Sequence, residues 1–208
     1  MLLDPEGEIR GYYHKVHLVP FTEYFPLDEE RFSWLHEIFQ KFDISDWGVG
    51  DRRSAFDAGG LRFVTPICFE DVFPDDVRRY LAGKQGSQDI DAIINISNDY
   101  WSLSPVEGTQ HGLLSLFRAV ENARPLLRST ASGYTVHVDA AGRIRGQPLE
   151  PYTPGYLIAE VEVPEGRTTV YRRLGDWFPL LCALGLAAAG LAVGLRSIIR
   201  TTTRRRTP

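Results

Sequence analysis

Cysteine is scarce. Cys68 and Cys182 are the two cysteines in 208 residues, which excludes a disulfide framework. Cys68 lies in a polar-rimmed motif and Cys182 in an apolar run, so both are expected as free thiols. Acidic residues are missing from residue 177 onward, where five arginines give +5, whereas residues 1–176 hold all 27 acidic residues against 18 basic ones, a net of −9. An acidic body with a basic tail placed after an apolar run forms no basic face, which argues against a nucleic-acid partner. The spacing of His14, His17 and His111 matches no standard metal site, so no metal and no cofactor is expected. No signal-peptide pattern opens the chain; residues 1–13 read as the end of one strand, a turn and the start of another. There is no internal repeat, and no low-complexity stretch beyond the tail.

Long apolar runs are also rare, with one exception. From Trp177 to Leu195 there are 19 residues without a charge. As a helix they span about 28 Å, close to the roughly 30 Å hydrocarbon core of a bilayer. The competing reading is a buried core helix, which seldom runs so far without a polar residue. Trp177 and Phe178 suit the interface at its start, and Arg196, Arg200 and Arg204–Arg206 after it place that end in the cytoplasm. The body then faces the outside of the membrane. The tail by itself implies no specific ligand and is equally readable as a solvated or lipid-facing segment.

Within the body, residues 28–42 read as a helix with Phe32, Leu35, Phe39 and Phe42 on one side. Residues 43–60 read as a long loop and 61–67 as a strand ending at Cys68. A short helix follows from Pro74 to Leu81, with Val77, Tyr80 and Leu81 as its apolar side. Residues 84–90 are a polar connection. The continuous apolar run at 91–98 suits a central strand of a covered sheet. Residues 107–121 form the clearest helix, with Leu113, Leu116, Phe117 and Val120 spaced for one face. Strands are expected near 126–131, 134–138 and 157–163, with a turn at Ala141–Gly142. Strands alternating with helices favour an α/β sandwich.

The candidate chemistry centres on Lys15, Glu23 and Cys68. A thiol just after a strand is exposed at a sheet rim, and a cation or base nearby favours its nucleophilic thiolate. Lys15 has the charge to do this and to stabilise an oxyanion. Glu23 and Glu70 are placed to position an amine, orient the lysine or move a proton. Taken without context, a cysteine after an apolar strand is more often a buried small hydrophobe.

Five segments, HKVHLVPFTEYFP (14–26), TPICFEDVFPD (65–75), INISNDYWS (94–102), QHGLLSLFRAVENARPLLRSTASG (110–133) and YRRLGDW (171–177), resemble successive motifs of the bacterial apolipoprotein N-acyltransferase family, in family order. The motifs around Lys15, Cys68 and Asn98–Asp99 are shared by nitrilase-like domains generally. The LVPF-x-EY run and the membrane helix after GDW point to the acyltransferases. The resemblance implies a partial nitrilase-like α-β-β-α sandwich over residues 1–174, a transmembrane helix over 175–196 and a basic cytoplasmic tail over 197–208.

It implies Cys68 as the nucleophile of a Glu–Lys–Cys triad and Lys15 as its lysine. Glu23 matches the glutamate after LVPF, and Glu70 the one two places past the nucleophile. The implied reaction moves a fatty acyl group from a membrane phospholipid to Cys68 as a thioester. It then passes to the free amine of a diacylglyceryl-cysteine lipoprotein, at the bacterial inner membrane with the domain facing the periplasm. Asn98 and Asp99 are read as holding the rim loop, and Trp101 either lines the lipid path or packs beside it. Arg118, Glu121 and Arg124 are expected to form a buried ion network. Thr22 stands where the family has glycine, a departure in the loop that carries Glu23.

The family's general-base glutamate lies well upstream of its lysine motif, and its counterpart here is expected upstream of Met1. The acidic residues that do precede Lys15, Asp4, Glu6 and Glu8, fall in a turn that does not match it. Three accounts follow: a fragment of a normal enzyme, one product of a split gene with a complementary N-terminal chain as partner, or an inactive membrane-tethered module. A soluble amidase of the same superfamily is a further alternative, opposed by the apolar span.

Overall fold

The computed structural model describes residues 1–28, 30–41, 47–82, 89–164 and 166–204. Its centre is a six-stranded mixed sheet in the order β3-β4-β5-β6-β7-β8. The strands are β3 (Ala55–Ala58), β4 (Leu61–Val64), β5 (Ala92–Ser97), β6 (Leu126–Thr130), β7 (Thr135–Val138) and β8 (Ile144–Leu149). The parallel part is β4, β5 and β6, flanked by antiparallel β3 on one edge and β7–β8 on the other. A separate antiparallel pair, β1 (Leu2–Leu3) and β2 (Ile9–Gly11), opens the chain. The parallel crossovers bring α2 (Pro74–Ala82) and α3 (Pro105–Asn122) into the fold, while α1 (Ser33–Gln40) lies in the segment before the sheet.

The register puts Val64, Ile93 and Leu126 side by side, with Val138 opposite Leu126, and all four are buried in one cluster with Val77 and Leu81 of α2 and Ala119 of α3. On the opposite sheet face Ile94 and Leu127 are half-buried and Ile96 is exposed. The apolar run of β5 therefore supplies both faces of the sheet, as a strand covered on both sides does.

The expected strand at 61–67 ends at Val64. Thr65 is followed by Pro66, which has no N–H to give the ladder, and pairing resumes with one bridge, Ile67 to Ile96. The expected loop at 43–60 contains β3, joined to β4 through Gly59 and Gly60 at φ 60° and 77°. Two left-handed residues in a row are the hairpin turn that the twist of the strands prefers. Residues 42–46, most of them in that loop, and 83–88 of the polar connection lie outside the described residues.

The helix expected at 28–42 is shorter, Ser33–Gln40, preceded by a turn in which Asp28 accepts the Arg31 N–H. The strand expected near 157–163 is not one. The edge strand is β8, whose sequence IRGQPL hides it: Gly146 sits at φ 70°, Pro148 lacks a donor, and the β7–β8 register shifts, features tolerated at edges.

Helix α3 begins at Ser104, whose side chain accepts the Glu107 N–H, with Pro105 in the first turn. Its buried residues are Gly108, His111, Gly112, Ser115, Arg118, Ala119 and Asn122. Of the face expected to be buried, Leu116 packs half-buried against the core, whereas Leu113, Phe117 and Val120 point outward. The small face permits close approach, since a Cβ on Gly112 would stand 2.6 Å from Cβ of Tyr134. At the end of the body a short helix α4 (Val170–Leu174), not anticipated, precedes α5 (Trp177–Arg204). The window Trp177–Gly194 has mean hydropathy 1.9 and none of it is buried. Arg205 and Arg206 lie outside the described residues.

Gly112→Ala is expected to destabilise the body by about 1–3 kcal/mol through overpacking against Tyr134. Thermal unfolding in detergent would read the loss, and a melting temperature equal to the parent's would refute the close packing of α3.

Candidate active site

Cys68 opens a 3₁₀ turn, Cys68–Val72, at the carboxyl end of β4. Its φ is 51°, a left-handed conformation that a side-chain-bearing residue holds only when its surroundings impose it. Three sets of contacts impose it. Asn95 on the neighbouring strand β5 donates through Nδ2 to the carbonyls of Pro66 (3.1 Å) and Cys68 (3.2 Å). Glu70 and Asp71, both fully buried within the turn, supply the other two.

Glu70 joins the nucleophile turn to the segment carrying Lys15. Its Oε1 accepts from the Tyr13 hydroxyl (2.8 Å) and the N–H groups of Val16 (2.7 Å) and His17 (3.0 Å). Its Oε2 accepts the Ile67 N–H at 2.7 Å. Donors on either side of Lys15 and immediately before Cys68 thus converge on one carboxyl group. Burial pushes the Glu70 carboxyl up from its ordinary value, and the N–H groups of Ile67, His17 and Val16 and the charge of Lys15 oppose that shift. The same segment is fixed on its far side. His17 stacks on Phe73 and pairs with Asp76 of α2 at 2.8 Å. Gly50 donates to the Lys15 carbonyl at 2.7 Å, where a Cβ would lie 2.2 Å from the His14 carbonyl.

Lys15 is buried, and its Nζ donates to both Glu23 oxygens at 2.7 Å. Glu23 also accepts the Val19 N–H at 2.8 Å, closing the loop that carries it. Phe21, at φ 60°, takes the left-handed position in that loop, whereas Thr22 lies outside the left-handed region.

Asp71 supplies the third set of contacts. Arg128, in the middle of β6 and with no exposed side-chain surface, donates to Asp71 (2.6 Å), Asn95 (2.7 Å) and Asp99 (2.9 Å). His111 of α3 lies between the same two carboxylates, Nε2 to Asp71 and Nδ1 to Asp99, both at 3.0 Å. Ser97 also donates to Asp99, at 2.6 Å. Two carboxylates thus face a guanidinium and an imidazole with both nitrogens engaged. Burial opposes the charged imidazole, but the bonds to Asp71 and Asp99 prevail and raise His111 to about 9. Burial likewise works to raise Asp99, and the hydrogen bond from His111 with the charge of Arg128 overcomes it, holding Asp99 at about 2.

Sequence reasoning did not single out Asp71, Asn95 or Arg128, and considered His111 only as a metal ligand. The available signal was an arginine inside the apolar strand LLRST, since arginine is almost never fully buried unless paired.

The remaining positions are placed as follows. Asn98 is exposed, and its Oδ1 accepts the Tyr100 N–H at 3.2 Å. Trp101 is 57% exposed in the short turn after it. The Arg118 network differs from the expectation. Arg118 pairs with Glu121 at 2.7 Å, but Arg124 pairs with Asp89 instead, beside Arg172. Cys182 is exposed on α5 and, like Cys68, is a free thiol. Met1, the marker beyond which the general-base glutamate is expected, is exposed just ahead of β1 and contributes nothing to the contacts around Lys15 and Cys68. Nor does the turn after β1 supply that base: Asp4 is engaged by Arg10 and by the Glu8 N–H, and Glu6 and Glu8 are exposed.

A left-handed cysteine at the end of a parallel strand, in a turn that Glu70 fastens to the segment of a buried lysine paired with Glu23, brings together the residue types that nucleophilic acyl chemistry uses. Residues 1–171 match the family described as carbon-nitrogen hydrolase, and the chain belongs to that family. Within it, the chain is similar to apolipoprotein N-acyltransferase 1 of Treponema pallidum (strain Nichols). The two are 38% identical over 188 residues, 90% of this chain and 33% of the relative. The apolipoprotein N-acyltransferase of Geobacter metallireducens is 37% identical over 199 residues, covering 95% of this chain and 36% of the relative. The chain spans about a third of the length of these curated relatives. Among solved structures, the NitN amidase from Nesterenkonia sp. AN1 shares the fold, with TM-score 0.51 and 24% identity over 84% of this chain and 58% of the amidase chain.

The charge network predicts a pH profile. His111 titrates at about 9 in the fold against 6.5 unperturbed, so its contribution is complete below 6.5 and is lost as pH rises through 9. Asp99, at about 2 against 3.8, contributes fully above 3.8 and loses this as pH falls through 2. The contribution of this pair should be constant between 3.8 and 6.5, and His111→Gln should reduce the decline in melting temperature between 6.5 and 9. An unaltered alkaline limb in the variant would rule out the charged imidazole.

Proposed function

We propose that this chain carries the nucleophile half of an apolipoprotein N-acyltransferase, with Cys68 as the residue that bears the acyl group. The observation that supports this most directly is the convergence on Glu70, which brings the Lys15 segment to the turn of a left-handed cysteine. In the first step the Cys68 thiolate attacks the ester carbonyl of a phospholipid, forming an S–C bond and an oxyanion. Collapse breaks the ester C–O bond and releases a lysophospholipid, whose alkoxide takes the proton that the thiol gave up. In the second step the amine of a diacylglyceryl-cysteine lipoprotein attacks the thioester carbonyl. The amide forms, the S–C bond breaks, and the proton lost by the amine passes through the base to the departing Cys68 sulfur. A covalent intermediate divides one difficult transfer between two bulky lipids into two.

Lys15 fits the oxyanion role. Two of its N–H directions meet Glu23, and an ammonium group has three. The base that moves the protons is neither Glu23, occupied by Lys15 and Val19, nor Glu70, occupied by four donors. It comes from polypeptide beyond residues 1–208, in the same protein or in a complementary chain. The half-exposed sheet face of Ile94, Ile96 and Leu127 gives such polypeptide a surface to cover. Helix α5 spans the bilayer, holding the body at the surface where both substrates reside and raising their effective concentration. The body faces the periplasm and the basic tail the cytoplasm.

Intact-mass analysis of the chain in phospholipid membranes, co-expressed with polypeptide supplying the upstream carboxylate, should show a hydroxylamine-labile fatty-acyl adduct that Cys68→Ser abolishes. Lys15→Met should slow adduct formation by about 10²–10³-fold, the cost of an oxyanion donor. No adduct with or without the upstream polypeptide would overturn the proposal.

A further inference from the structure

Helix α3 hides its small and polar side and displays its apolar one. Val106, Leu113, Leu114, Phe117 and Val120 are all exposed, Phe117 at 58%. They recur at intervals of three, four and seven residues, so they form one stripe along the helix. An exposed apolar stripe of this kind marks a contact surface. Arg118, the one arginine of a helix without lysine, is buried, so the stripe offers lipid headgroups no such cation.

The carboxyl end of α3 is tied to the start of the apolar helix α5. There Thr169 donates to the Glu121 carbonyl. Arg172 donates to the Leu81 carbonyl at 2.8 Å and pairs with Asp89, which docks α4 onto the body. Only Gly175 and Asp176 then separate α4 from Trp177, the first residue of the apolar helix α5. The membrane surface therefore begins two residues from a helix clamped to the end of α3, and on α4 itself Val170 and Leu174 are exposed.

The Cys68 turn lies along the buried side of α3, where Asp71 meets His111 and the Asp71 and Val72 carbonyls accept from Arg118, one turn before the carboxyl end. Asp99 joins the charge network beside the Cys68 turn, and Trp101 and Leu103 are exposed just ahead of the helix. Eighteen residues make α3 about 27 Å long. Standing upright on its α4 end, it would carry Val106 and Leu113 away from the headgroups. Lying flat, it puts the α4–α5 junction and the stripe on the bilayer together.

We propose that the outward face of α3 is a membrane-contact surface, seated in the outer part of the bilayer parallel to its plane, with the Cys68 turn held on the opposite, buried side of the helix. This rests on the reading of α5 as a membrane span and of the substrates as lipid-anchored. An interfacial helix of this type sinks its apolar face about 5–10 Å into the boundary between headgroups and acyl chains. With no lysine or arginine on the stripe, attachment should persist in zwitterionic lipid.

The test is depth measurement on the full chain in phosphatidylcholine vesicles, in a Cys68→Ser, Cys182→Ser background. A nitrobenzoxadiazole label is attached at Phe117→Cys or Leu113→Cys. Leu184→Cys, within α5, and Asp57→Cys, on the edge strand β3, serve as references. Phosphatidylcholine brominated on its acyl chains should quench Phe117 and Leu113 several-fold more than Asp57, and less than Leu184, with blue-shifted emission at both stripe positions. If Leu184 is quenched while both stripe positions behave like Asp57, the contact surface is refuted and the membrane span stands. An unquenched Leu184 refutes the span and the contact surface with it. A blue shift that follows protein concentration and ignores bromine would show a second copy on the stripe and overturn the proposal.

Discussion

Arg128 lies in the centre of the sheet with no solvent to hydrate it, and the arrangement around the site follows from satisfying its charge. A guanidinium in such a place is stable only when paired and hydrogen-bonded. Asp71, Asn95 and Asp99 provide this from the nucleophile turn, from β5 and from the loop after β5. Two carboxylates exceed what one arginine balances, and His111 on α3 makes up the difference by spanning both. The resulting cluster fixes α3, β6 and the turn of Cys68 relative to one another. Gly133 shows how closely this is built: a Cβ there would stand 1.8 Å from an Asp99 oxygen.

The strained backbone of Cys68 rests on the same arrangement. Its turn is fastened from the sheet by Asn95, from below by Asp71 and from the Lys15 segment by Glu70. Such multiple restraint is what allows a left-handed non-glycine residue to persist, and it presents a thiol at the rim in one orientation. Reactivity and position are thereby separated. Cys68 needs few side-chain contacts of its own, because the buried charges behind it carry the fixation.

Much of this was readable from the chain. The short helix at Pro74 with Val77, Tyr80 and Leu81 inward, the central strand expected at 91–98 and found at 92–97, and the turn at Ala141–Gly142 followed from local pattern, which depends on neighbours in sequence. Where the pattern misled, a distant partner had intervened. The apolar spacing of Leu113, Phe117 and Val120 identified a helix but not its buried face. That was decided by Gly112 meeting Tyr134 and by His111 meeting Asp71 and Asp99. β8 was masked by a glycine and a proline that only an edge position tolerates, and Arg124 chose Asp89 over the nearer Glu121.

By itself the sequence determined the family, the order of helices and strands through the Cys68 region, the lysine, glutamates and cysteine that are candidates for the site, and the single apolar span. These are properties of residue type and spacing. The tertiary structure decided which charges meet. Lys15 lies eight residues from the Glu23 that orients it, but Val16 lies 54 residues from the Glu70 that fastens it to the Cys68 turn, and Arg128 lies 57 from Asp71. Pairing across such intervals depends on sheet register and on the exclusion of water from one buried site, and neither is encoded in any local run of residues.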